Sequence, residues 1–274
     1  MTREAQSMIA IIGAGMMGEA IISGLLRQQL IAVEHLRATE PRAERRHEIH
    51  QRYGIRVDDD NAAAVQQSQV IVLAVKPQVL PRVLPPLQGL IPPDALVLSI
   101  AAGVPIQRLR DWLAHPLIVR AMPNTPARIG AGITVWTATP EVGEAQRAHV
   151  RQLLQALGSE LAVPDEATID MATALAGSGP AYIFLIIEAM IDAGVHLGLS
   201  RQVAEMLTLQ MIAGSVQYAQ VSGEHPAQLR NAVTSPGGTT AAALSALEQS
   251  GLRSTISDAI WAAYRRAAEL GQST

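Results

Sequence analysis

Six residues near the start of the chain, Gly13-Ala14-Gly15-Met16-Met17-Gly18, have the types and spacing to hold a pyrophosphate. An apolar run, residues 8–12, precedes them, and an apolar-periodic stretch, residues 19–29, follows. Strand, glycine turn and helix in that order give a G-x-G-x-x-G its physical meaning. Gly13 allows the tight turn, Gly15 lets the backbone approach a diphosphate, and Gly18 lets the helix pack on its strand. The first N–H groups of the helix then meet the phosphates at the positive end of the helix dipole. Glycine-rich turns also serve as plain strand-to-helix connections, so the context carries the reading.

A second group, Ser235-Pro236-Gly237-Gly238-Thr239-Thr240, precedes an Ala-rich helical pattern. Adjacent glycines expose N–H groups and two hydroxyls stand at a helix start, which suits a small anion such as a carboxylate. Ordinary capping accounts for Thr239 or Thr240 equally well. Glu40 and Arg42 close the second predicted strand. An acid there bonds a ribose 2′-hydroxyl and favours NAD, whereas an arginine holds a 2′-phosphate and favours NADP; this chain has both. Arg45 and Arg46 read as a solvated helix face. Two further strand ends, Ala74-Val75-Lys76-Pro77 and Ser99-Ile100-Ala101-Ala102-Gly103, fall on the carboxyl side of the sheet, where ligands bind. Asn124 and Thr125, between two prolines, either bind a carboxamide or cap a turn. Glu188, Asp192 and His196 repeat every four residues, a spacing open to metal binding but more simply a polar stripe on an apolar helix.

The elements that must position these groups alternate in the first half. Strands are expected over residues 8–12, 36–39, 55–57, 70–75, 96–101 and 117–121, with helices over 19–29, 43–53, 62–67 and 105–113. Residues 77–90 carry Pro81, Pro85 and Pro86, so a helix there is short or broken. The pattern predicts an α/β fold with a parallel, doubly wound sheet. Residues 132–137 read as a further strand on the sheet edge, 141–157 as a helix and 160–163 as a short run. From about residue 165 β signals stop and helices follow: 166–174, 180–197, 201–221, 226–233, 240–249 and 251–271.

Composition bounds the function. The chain has 274 residues, 49% hydrophobic and 16% charged, with a net charge of −3 and no basic block, so nucleic acid is not an implied partner. It has no Cys, which removes disulfides, thiolate nucleophiles and Cys-based metal sites. The opening MTREAQS lacks a signal-peptide core, and no long uncharged apolar run is evident. A cytoplasmic protein without a membrane span is the expectation. Residues 183–187, with Met190, Ile191, Ala193, Val195 and Leu197, make one helix apolar nearly all round. It should be buried on every side, and the roughly 110 residues of the helical half are few to cover it, so a second copy is expected.

Taken together, IGAGMMG (12–18), AVKP (74–77), SIAAGV (99–104), RAMPNTPA (120–127), GSGPAY (177–182), GEHPAQL (223–229) and VTSPGGTTAAALSALE (233–248) resemble the pyrroline-5-carboxylate reductases. The resemblance spans nearly the whole chain. It implies a Rossmann domain over 1–164 joined to an all-helical dimerisation and substrate domain over 165–274. It further implies reduction of the ring imine of 1-pyrroline-5-carboxylate to L-proline, the last step of proline biosynthesis. The cofactor implied is NADPH, with NADH as the alternative, and the assembly a homodimer or a larger set of dimers with shared sites. By position, Ile12, Gly13, Ala14, Gly15, Met16 and Met17 would hold the pyrophosphate. Glu40, Arg42 and Asn61 would neighbour the adenosine, and Ala74, Val75, Lys76, Pro77, Ala101 and Ala102 the nicotinamide end. Ser235, Thr239 and Thr240 would hold the substrate, with Glu166 and Thr173 near the ligands and no metal. The family often has small hydroxyl residues where this chain has Thr39-Glu40. The alternatives are a β-hydroxyacid-type dehydrogenase and a cofactor-binding regulator. The first needs a lysine in the helical half, and none follows Lys76.

Overall fold

The computed structural model describes residues 7–273; the opening MTREAQ lies outside them. Strands β1 (Ile9–Ile12), β2 (Leu36–Thr39), β3 (Arg56–Asp58), β4 (Val70–Leu73), β5 (Leu96–Ser99), β6 (Ile118–Met122), β7 (Gly132–Ala138) and β8 (Gly158–Ala162) form one sheet. Their order is β3-β2-β1-β4-β5-β6-β7-β8. Helices α1 (Met16–Arg27), α2 (Ala43–Tyr53), α3 (Asn61–Gln66), α4 (Leu80–Val83), α5 (Ile106–Leu113) and α6 (Glu144–Gln155) connect them, and α7 (Ala167–Ala172) follows β8. Strands β1, β2, β4 and β5 are buried along their whole length, as helix-covered parallel strands must be. Their alternation builds two cores. Ile9, Ile11, Val72 and Leu98 pack with α1, α2 and α6 residues on one face; Ala10, Ile12, Ile71 and Val97 pack with α3, α4 and α5 residues on the other. The prolines of residues 77–90 limit that segment to α4 between two short 3₁₀ turns.

The sheet is parallel from β3 to β6, but β7 runs antiparallel to β6. The connection between them is a short 3₁₀ turn, Thr125–Ile129, and a parallel return needs a crossover of a dozen or more residues. β7 is also not the edge. The helix α6 carries the chain across to β8, which pairs parallel to β7 and takes the edge itself.

Two compact units divide the described chain, and the division differs from the expected boundary at residue 164. One runs to Ser178 and takes in the chain from Ala263; the other is Gly179–Ala262. The stretch containing α7 stays with the sheet because Arg120 on β6, 2% exposed, pairs with Glu166 at 2.8 Å and with Asp170.

The second unit is helical: α8 (Gly179–His196), α9 (Arg201–Ser222), α10 (Pro226–Ala232), α11 (Thr239–Gln249) and the start of α12 (Leu252–Ser273). α8 and α9 meet where a Cβ on Gly194 would lie 2.9 Å from that of Ala204. Within one chain α8 is not covered. Phe184 is 62% and Leu185 66% exposed, and only Gly194 of this helix is buried. The helical stretch Ala167–His196 is long and apolar enough by composition to cross a membrane, but it carries Asp170, Glu188 and Asp192 and so is not a long uncharged run. Glu188, Asp192 and His196 form no metal cluster, for among the described residues no such group of three donors occurs; Asp192 pairs with Arg201 at 2.8 Å.

Gly18 sets how closely α1 meets the sheet, since a Cβ there would lie 2.0 Å from the Gly13 carbonyl oxygen. Gly18→Ala is expected to destabilise the protein by about 3 kcal/mol or more, the upper range of overpacking against backbone that cannot move aside. Thermal unfolding checks this, and an unchanged Tm would mean that α1 can shift freely.

Candidate active site

The order of strands reverses between β1 and β4, and the crevice outside their carboxyl ends is where an open α/β sheet binds ligands. Gly13 N–H donates to Thr39 O at 3.0 Å and Ala74 N–H to Ile12 O at 2.9 Å, which ties the turn to both neighbouring strands. The three glycines answer different needs. Gly13 has φ +101°, and a Cβ on it would meet Val75 Cγ1 at 2.8 Å; Gly18 packs on the turn as above. A Cβ on Gly15 would meet nothing within 4 Å. Packing therefore does not demand glycine at 15, and space for a ligand against the backbone does. Gly15 is also the N-cap of α1 and offers no side chain to the first amides, which leaves them for an anion. The residues present thus fit a dinucleotide diphosphate.

A cleft of about 430 Å³ opens at this point. It is lined by Ile12, Gly13, Gly15, Glu40, Arg42, Asn61, Ala74, Val75 and Lys76, all expected from the sequence. Thr39, Pro41, Asp59, Val79, Arg82 and Val83 complete the lining. The last three lie on one side of the segment carrying α4, at a spacing of three and four residues that is legible in the sequence despite the prolines beside them. Ala14 is fully buried beneath the turn, while Met16 is 64% exposed beside it. Met17, Pro77, Ala101 and Ala102 are not among the residues that line the cleft.

At the adenosine end the two candidates prove to be one device. Glu40, its side chain only 7% exposed, accepts from Arg42 Nε at 2.8 Å and from Arg42 N at 3.3 Å. The bond to Glu40 and the negative charge of that carboxylate push the Arg42 guanidinium further above its usual pKa, and the cation offsets the Glu40 charge. Arg42 itself is 69% exposed in its side chain, so the lip of the cleft carries a fixed cation.

The solvated-face reading of Arg45 and Arg46 does not hold. Arg46 donates to Glu40 O and Pro41 O, both at 2.9 Å, and pairs with Asp59 at 3.1 Å. Arg45 Nε donates to Ala14 O at 3.0 Å, Nη1 to Glu48 at 3.0 Å and Nη2 to Glu19. Burial pushes the Glu19 carboxyl up, but bonds from Arg45, Tyr53 and Arg52 outweigh it and hold the group below the usual carboxylate range. Residue spacing could not show this, because Arg45 and Glu19 meet only when α2 folds back against α1.

Several remaining candidates are committed to the fold. Asn124 Nδ2 donates to Ala176 O at 3.2 Å and its Oδ1 accepts from Ile133 N at 3.0 Å; the amide bridges backbone groups. Glu166 accepts from Ile106 N at 2.7 Å and from Arg120 at 2.8 Å. Thr173, buried, donates to Ile169 O at 2.7 Å. In the helical unit, Gly237 has φ +70° and Gly238 N–H closes a turn on Ser235 O at 3.0 Å. α11 is capped by the backbone of Gly238, with no side-chain cap bond. The capping account of Thr239 and Thr240 therefore fails: both lie inside the first turn of α11, Thr239 and Ser235 exposed and Thr240 partly so.

A glycine-turn cleft on a doubly wound sheet, followed by an all-helical unit, defines a dinucleotide-binding α/β protein with a helical partner domain. Residues 166–270 match the family model described as pyrroline-5-carboxylate reductase dimerisation, and residues 8–103 match that of NADP oxidoreductase coenzyme F420-dependent. The pyrroline-5-carboxylate reductase of Synechocystis is 45% identical over 96% of this chain and 98% of its own length. That of Pseudomonas aeruginosa is also 45% identical, over 96% and 97%. The crystal structure of Plasmodium falciparum pyrroline carboxylate reductase with NADP bound superposes with a TM-score of 0.90 at 31% identity, covering 97% of this chain and 99% of that one. The chain belongs to the pyrroline-5-carboxylate reductase family.

Arg42→Ala should raise the KM for NADPH more than that for NADH, since it removes the cation and leaves Glu40 unneutralised. Steady-state kinetics with both cofactors decide this; equal effects would show that Arg42 does not face a 2′-phosphate.

Proposed function

We propose that the protein reduces 1-pyrroline-5-carboxylate to L-proline with NADPH, NADH being the weaker cofactor. The observation that carries this reading is the end-to-end match: 45% identity runs over 96% of the chain, through the cleft residues and the helical half alike. Bound NADPH supplies the hydride. Gly13, Gly15 and the first amides of α1 take the pyrophosphate, Arg42 and Asn61 the adenosine end, and Ala74 to Pro77 with Ala101 and Ala102 the nicotinamide end. Ser235, Thr239 and Thr240 hold the substrate carboxylate and ring nitrogen, on a turn that the Gly238 N–H closes on Ser235 O. The imine takes its proton from solvent, and the iminium is already electrophilic, so these residues need mainly to orient and enclose the reactants. That accords with a chain whose one lysine is Lys76.

Residues 165–274 serve in this proposal as the dimerisation and substrate domain. A second copy, rather than lipid, covers the apolar side of α8, because Glu188 and Asp192 lie within that helix and a carboxylate in hydrocarbon is costly. The protein works in the cytoplasm as a dimer or an assembly of dimers, and each site draws on both chains.

The direct test is a reductase assay with 1-pyrroline-5-carboxylate run in parallel with NADPH and NADH. No turnover with either would overturn the assignment. In the same assay Thr240→Val should lower kcat/KM for the imine by roughly 10- to 100-fold, the scale of a lost hydrogen bond to a charged group, while NADPH binding stays near wild type. Wild-type kcat/KM in that variant removes Thr240 from the site.

Site sharing has its own test. A Gly15→Asp chain, unable to take the pyrophosphate, is co-refolded with a Thr240→Val chain. Mixed dimers should regain one intact site and measurable activity; mixed dimers as inactive as both parents would rule out sharing.

A further inference from the structure

The turn that faces the pyrophosphate rests on a side chain from α2. Ala14 lies between two glycines and is fully buried. Its peptide bond to Gly15 is trans, as are all those described, so the Ala14 carbonyl and the Gly15 N–H point in opposite directions on one rigid plane. Whatever fixes the carbonyl fixes the N–H. Glycine has the weakest backbone preference of any residue, and Gly13 at φ +101° and Gly15 leave this plane with little intrinsic reason to hold one orientation. The hold comes from outside: Arg45 Nε donates to Ala14 O at 3.0 Å. The guanidinium is itself held, by Glu48 at 3.0 Å and by Glu19. Glu19 in turn accepts from Tyr53 Oη at 3.0 Å, and the Arg45 side chain is only 17% exposed.

We infer that Arg45 is a positioning residue for cofactor binding: its guanidinium, anchored on Glu19, grips the Ala14 carbonyl and so aims the Gly15 N–H at the pyrophosphate. The inference rests on the dinucleotide reading of the cleft. Arginine suits the task because its donors diverge in a fixed plane, Nε toward a carbonyl and the two Nη toward two carboxylates; a lysine ammonium is one point charge on a flexible stem. Arg45 also neutralises Glu19, whose charge otherwise stands in the first turn of the helix that must receive an anion.

The experiment measures ligand binding to the full chain by calorimetry for wild type, Arg45→Lys and Arg45→Gln. The probes are NADP⁺ and adenosine 2′-phosphate, which has no pyrophosphate. Both variants should bind NADP⁺ about tenfold more weakly, the scale of one charge-assisted hydrogen bond, with affinity for adenosine 2′-phosphate unchanged. In kinetics the KM for NADPH should rise while the KM for the imine stays put. Unchanged NADP⁺ affinity in either variant overturns the inference; in Arg45→Lys it would reduce the role to charge alone. Equal losses for both ligands also overturn it, because they mark general loosening of the domain. A wild-type protein that binds neither ligand refutes the cofactor reading itself, a failure distinct from that of Arg45.

Discussion

Everything in the cofactor half depends on how close α1 comes to the strand before it. The carbonyl of Gly13 occupies the place where residue 18 would carry its Cβ, so the helix starts directly on the turn and its first amides face the cleft. The far side of the same helix is equally tight. A Cβ on Gly24 would lie 2.9 Å from Ala156 O at the end of α6, and Arg27 donates to that same carbonyl at 3.4 Å. The helix is therefore located at both ends by contacts to backbone, which cannot rotate away as a side chain can. Ile21, Ile22 and Leu25 between them are buried in the core, and that burial adds stability without deciding position.

Charge is distributed by the same logic. In the first unit nearly every arginine that matters to the cleft is tied to a named acceptor: Arg42 to Glu40, Arg45 to Glu19, Arg46 to Asp59. Each pair has at least one partner largely withdrawn from solvent, and its value lies in where it holds backbone and charge. Glu40 illustrates this. Alone it would oppose a 2′-phosphate; with Arg42 on it, the same position presents a cation. The helical unit is built differently. Few of its side chains are buried within one chain, and large apolar residues such as Phe184, Leu185 and Met206 lie open, which is the surface of a domain made to be covered.

Wherever one local rule dominated, the sequence was a reliable guide. The apolar runs and the glycine turn placed β1, β2 and α2 to within a residue or two, and the cleft gathered nine of the residues anticipated for it. The departures came from decisions taken at long range. Nothing local tells residues 132–138 to pair antiparallel; the shortness of the link after β6 does. Asn124 and Glu166 looked available because their acceptors and donors, Ala176, Ile133, Ile106 and Arg120, sit far along the chain. Arg45 was read as solvated for the same reason. The boundary near residue 164 followed the loss of β signal, and the dimerisation family model begins beside it at residue 166; the compact units divide later, at Ser178, because Arg120 holds two carboxylates of the α7 stretch.

A cleft so dependent on backbone geometry suits the proposed chemistry. A protonated ring imine needs no general base and little further polarisation, so no side chain must be tuned to a catalytic pKa. What remains is placement, and placement errors of an ångström are costly in reactions of this kind. A turn made of glycines is the least rigid backbone available, yet glycine is needed there for close approach. The molecule meets both demands by supplying the rigidity from around the turn: the Gly13 carbonyl against Gly18, the strand ends bonded to Gly13 and Ala74, and a guanidinium on Ala14.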